Sequence, residues 1–116
     1  MANPYRATAE FTAEGQTYRL RFDWNAACEF EQATGKTVSE VLSDVAAGRV
    51  SAVALRGLMW AGLHGDDRGV TLVRAGELIG LVGRVEAVRI CGVALRYFFP
   101  ELEAAPPDPP NPAPSQ

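Results

Sequence analysis

The sequence predicts an α+β domain, an N-terminal β-hairpin followed by about five α-helices packed as a small bundle. Three observations lead there. Residues 7–22 alternate apolar and polar side chains around a Glu-Gly turn, and from Asp23 onward the period lengthens to about 3.6. The helical stretches open on Asp, Thr or Ser, and several close on Gly. The chain has 116 residues, 47% hydrophobic and 22% charged, which is the composition of one ordinary globular domain. That domain is expected over residues 7–102. A flexible N-terminus (1–6) precedes it, and a disordered tail (103–116) carrying six of the eight prolines follows.

In the hairpin, taking Glu14-Gly15 as a two-residue loop sets Phe11 opposite Tyr18, Ala9 opposite Leu20 and Ala7 opposite Phe22. The other face then pairs Thr12 with Thr17, Glu10 with Arg19 and Thr8 with Arg21. Slipping by one residue would mix the two faces, so the pattern fixes the register. Asp23 N-caps a helix over 24–34, with Gly35 as its stop. Thr37-Val38-Ser39-Glu40 is a capping-box pattern that opens a helix over 38–47, striped by Val38, Val41, Leu42 and Val45.

Ser51 starts a third helix, 52–64, that is apolar around most of its circumference with Arg56 its only charge, so it is expected at the centre. Past the loop Gly65–Gly69, Thr71 caps a helix over 72–82 with Leu72, Ala75, Leu78, Ile79 and Val82 on one side. Gly76 and Gly80 weaken that helix by about 1 kcal/mol each relative to Ala. The last helix, 84–99, shows Val85, Val88, Gly92, Leu95 and Phe99 as its stripe, and Pro100 ends it.

Charge argues against a non-specific phosphate binder, because eleven basic residues face fourteen acidic ones for a net −3. Met1–Arg6 has no apolar stretch behind a basic start, so no secretory signal is expected. The longest charge-free interior run, Gly57–Gly65, falls far short of the ~20 residues of a membrane span. Cys28 and Cys91 lie among apolar neighbours and read as two buried free thiols. A cytoplasmic, reduced protein is expected.

Candidate chemistry is sparse. His64, Asp66 and Asp67 lie close in sequence, but a helix end followed by a polar turn accounts for them better than a metal site. Glu29 and Glu31 are separated by two positions on a helix, so they face different ways and read as solvated. Gly76, Gly80 and Gly83 follow no strand and precede no Lys-Ser/Thr, so close helix packing explains them better than a phosphate cradle. The lone His lacks an evident nucleophile partner. Taken as a helix-turn-helix, the third and fourth helices would present Arg74, Glu77 and Arg84, a mixed face poorly suited to bases. No catalytic residue, metal, cofactor, nucleic acid or membrane is expected.

What remains is apolar surplus. Trp24, Trp60, Tyr97, Phe98 and Phe99 are more large aromatics than a small core needs. Trp60 is out of phase with Leu55, Leu58 and Met59, and Tyr97 and Phe98 flank the stripe that ends at Phe99. These three are the expected partner contacts, together with the edge strand carrying Thr8, Glu10 and Thr12, because a lone hairpin leaves two edges open to a partner or a second copy. Alanine at Trp60 is expected to weaken partner binding more than folding.

The order of elements, with Tyr18-Arg19-Leu20-Arg21-Phe22 running into Trp24–Gly35, then Leu55–Gly65 and Ala75–Gly80, resembles the small tail assembly chaperones of long-tailed phages. The likeness is specifically to the group found in gene transfer agents and related alphaproteobacterial prophages, and it covers roughly residues 7–99. It rests on element order and short segments, with no catalytic signature, and the Pro-rich tail is not part of the pattern. The resemblance implies a non-enzymatic protein that binds the tape-measure protein and keeps that long helical chain soluble. It also implies help for tail-tube protein to polymerise around it, and absence from the finished particle. Two other classes stay open: a structural component retained in the tail, and a small helical DNA-binding regulator or adaptor.

Overall fold

The computed structural model describes residues 8–99. The expectations for the N-terminus (1–6), for Ala7 opposite Phe22 and for the Pro-rich tail (103–116) lie outside them. The fold is α+β: strands β1 (Thr8–Ala13) and β2 (Gln16–Arg21), then helices α1 (Trp24–Thr34), α2 (Val38–Ala47), α3 (Ala52–His64), α4 (Leu72–Val82) and α5 (Arg84–Phe98).

The strands pair antiparallel in the expected register, from Thr8 opposite Arg21 through Phe11 opposite Tyr18 to Thr12 opposite Thr17. Glu14 and Gly15 sit at φ 54° and 77°, the positive values that a two-residue hairpin turn requires. Ala9, Phe11, Leu20 and Phe22 are buried, and the Phe11 and Tyr18 rings stack at 5.2 Å. On the outer face Arg19 Nε donates to Glu10 at 3.1 Å.

Each helix of the first four begins where a short polar side chain can accept a first-turn N–H. Asp23 accepts from Ala26, Ser51 from Ala54 and Thr71 from Arg74. Thr37 and Glu40 complete a reciprocal capping box, with the Glu40 carboxylate accepting from Thr37 N at 2.9 Å. Gly35 and Gly48 close α1 and α2 in the left-handed region.

Helix α3 is central, packing on α1, α4, α5 and β2. Two glycines permit this. A Cβ at Gly57 would stand 2.5 Å from Thr34 Cγ2, and one at Gly62 would stand 2.8 Å from Leu20 Cγ. Around α3 the core collects Phe22, Phe30, Leu58, Met59, Leu78, Ile90 and Leu95.

Four expectations change. On α5 the buried residues are Ala87, Ile90, Cys91, Ala94 and Leu95, whereas Val85 is 85% exposed, so the helix is rotated from the predicted Val-rich stripe. Helix α5 ends at Phe98, with Phe99 as its C-cap. Cys28 is exposed, since Ala26, Ala27 and Phe30 already define the inward arc of α1. The glycines of α4 do not share one packing role. Gly76 faces the Arg56 stem, a Cβ at Gly80 would meet nothing within 4 Å, and Gly83 turns the chain between α4 and α5 at φ 93°.

Candidate partner-binding surface

The start of α1 and the end of α5 meet at an aromatic corner. Trp24, the first residue of α1, is 74% exposed although its indole lies edge-on to Phe98, with ring centroids 5.3 Å apart. Phe99 stands 6.5 Å from the same indole and 4.2 Å from Phe98, again edge-to-face. Such geometry sets the positive ring edge of one aromatic against the negative face of another. Phe98 and Phe99 are half-buried, and Tyr97 beside them is 48% exposed.

The contact residues expected from the sequence fall in three places. Phe98 belongs to this corner, and Tyr97 precedes it on α5. Thr8, Glu10 and Thr12 alternate along the outer face of β1, Thr8 half-buried and the other two exposed. In the described residues the sheet has two strands, so β1 has no strand partner on its outer edge.

Trp60 is elsewhere and otherwise engaged. Its Nε1 donates to the Val70 carbonyl at 3.2 Å and its ring stacks on His64 at 4.9 Å, which fastens the 65–70 loop to α3. Trp24, one of the surplus aromatics, stands at the corner, and Trp60 does not. Trp24 shares its helix face with Cys28 and Glu31, both exposed, and lies off the inward arc of Ala26, Ala27 and Phe30. At the first turn of the helix its ring meets the end of α5.

The polar groups singled out earlier have structural partners. His64 Nδ1 lies 2.8 Å from Glu29 Oε1 and Nε2 lies 3.1 Å from the Arg68 carbonyl. Glu29 also approaches Arg68 at 3.6 Å, so it is half-buried and bridges α1 to the end of α3 instead of being solvated. Glu31 turns the other way and accepts from Val38 N at 3.0 Å, joining α1 to the start of α2. Asp67 Oδ1 accepts from Gly69 N inside its own loop. Among the described residues no group of three His, Cys, Asp or Glu side chains is placed to hold a metal ion.

Arg74, half-buried on α4, donates to Glu77, Glu14 and the Tyr18 hydroxyl, so it clamps α4 to the hairpin. Cys91 is fully buried, and desolvation pushes its thiol up to about 12, which keeps it protonated. No helix among the described residues is long and apolar enough to cross a membrane. In comparisons with family models, curated proteins and solved structures, this chain matches none.

Proposed function

We propose that this chain is a non-enzymatic tail assembly chaperone, acting in the cytoplasm of the cell that builds a phage-like particle. It binds the tape-measure protein and assists tail-tube protein to assemble around it. The observation that carries the reading is the aromatic corner in which exposed Trp24 packs on half-buried Phe98 and Phe99, with exposed Tyr97 next to them in the chain. A partly exposed aromatic cluster on a small domain suits reversible capture of apolar side chains on a helical partner. The resemblance in element order supports the same conclusion, as does the absorption of His64, Glu29, Glu31 and Arg74 into structural contacts.

The test is co-expression with the tape-measure and tail-tube proteins of the same particle. With this chain present, soluble tape-measure protein rises and co-purifies with it, and purified mature particles lack it. Persistence in the particles would replace the chaperone with a retained tail component. Recovery of DNA without the tape-measure protein would replace it with a regulator.

A further inference from the structure

Away from the aromatic corner, α3 and α4 leave between them an apolar groove of about 400 Å³. Val53 and Leu55 line it from α3, Gly76 and Ile79 from α4, and Arg56 and Arg84 stand among its walls. Val53 is 53% exposed, an apolar side chain at the mouth of an apolar trough. At Gly76 the wall is bare backbone, and the stem of Arg56 lies across it, with Cδ 3.5 Å from where a Cβ would be.

The charges are one-sided. The chain as a whole carries −3, yet no carboxylate lines this groove and two guanidinium groups do. Arg19, Arg68, Arg74 and Arg89 each pair with a glutamate. Arg56 has no such partner among the described residues, and Arg84 uses one NH2 donor on the Val50 carbonyl at 3.0 Å. A guanidinium fork left open beside an apolar trough recognises a carboxylate carried by something that also fills the trough.

We infer that the α3–α4 groove docks an amphipathic helical segment of a partner chain, its apolar stripe flanked by Asp or Glu side chains that reach Arg56 and Arg84. Two packed neighbouring helices offer a third the ridge-and-groove surface that such packing uses. The inference deepens the proposed function and rests on it for the identity of the partner, the tape-measure protein.

Two arms test it. In the first, the full-length protein is titrated with a fluorescent amphipathic peptide bearing Leu at helical spacing and flanking Glu, and with the same peptide bearing Lys instead. The Glu peptide binds at least about tenfold more tightly, and R56E reverses the preference. V53D removes binding of both peptides while the thermal midpoint holds, since both positions are exposed. No binding of either peptide, or a preference that R56E leaves unchanged, overturns the groove assignment.

In the second arm, the co-expressed tape-measure protein is captured with wild type, R56E and V53D. Capture undiminished by the two variants overturns the groove and leaves the chaperone reading standing. Charge-dependent peptide binding without capture of the tape-measure protein by wild type overturns the chaperone reading and leaves the groove.

Discussion

Trp24 offers most of its indole to solvent, whereas Trp60 donates to Val70 and stacks on His64. The two substitutions to alanine should therefore separate. Trp24→Ala should shift unfolding stability by less than about 1 kcal/mol while cutting partner capture, because little buried surface is lost. Trp60→Ala should cost about 1–3 kcal/mol because a hydrogen bond and a stack go with it, less than a fully buried Trp because the ring is half-buried. Urea unfolding of both variants beside a capture assay checks the pair. An unchanged midpoint for Trp60→Ala with lost capture would return Trp60 to the binding surface. The cysteines divide in the same way. Cys28 is exposed, while the Cys91 thiol is pushed up to about 12 by burial and the thiolate is the reacting form. A disulfide reagent at mildly alkaline pH should titrate one thiol quickly in the native protein and both in denaturant. Two fast thiols in native buffer would mean that α5 opens readily.

Helix packing decides the next set of outcomes. Gly62→Ala drives a methyl group to 2.8 Å from Leu20 in a filled core, so it should destabilise by about 1–3 kcal/mol. Gly80→Ala meets open space in the same kind of backbone and should stabilise α4 by about 0.5–1 kcal/mol. Thermal melts of the two variants should move in opposite directions. The α2 cap adds a pH dependence. The backbone N–H and then the hydroxyl of Thr37 hold the Glu40 carboxyl below its usual range. Its folded pKa is thus lower than its unfolded one, so the stabilisation is complete above the unfolded value and fades as pH falls through the folded value. The stability gap between wild type and Glu40→Ala should be widest near neutral pH and narrow in acid. A gap independent of pH would detach Glu40 from the cap. Local signals of this kind are why the element boundaries were legible: Asp23, Thr37, Ser51 and Thr71 each mark a helix start in the sequence. The face of α5 was not legible, because its sequence carries two helical stripes. Val85, Val88, Gly92 and Leu95 form one and Ala87, Ile90, Cys91, Ala94 and Leu95 the other, and the buried one carries the small residues Ala87, Cys91 and Ala94. Periodicity does not separate two such stripes and carries no measure of the gap to be filled.

At the scale of the molecule, the aromatics of the candidate site were legible in the sequence but their meeting was not, for a related reason. Trp24 and Phe98 are brought together only by the folding of α1 against the end of α5, and no spacing along the chain records that meeting. Tyr97 and Phe98 were legible because they crowd one helix end; the α3–α4 groove was not, since it is a relation between two helices. The same closure bears on how the hairpin is held. Two strands alone are marginal in water, so β1 and β2 depend on what their inward face touches. Phe11, Leu20 and Phe22 share one core with Leu58, Ile90 and Leu95, β2 packs on α3, and β1 packs on α5. Arg74 adds a polar tie from α4 to Glu14 and Tyr18. Hairpin and bundle should therefore unfold as one cooperative unit. Native-state hydrogen exchange should give the central amides of β1 and β2 the same opening free energy as those of α3, falling together with denaturant. Strand amides that exchanged through a smaller, denaturant-insensitive opening would show a hairpin that lifts from the bundle by itself. Its inward face, Phe11 and Leu20 included, would then join the surface available to a partner.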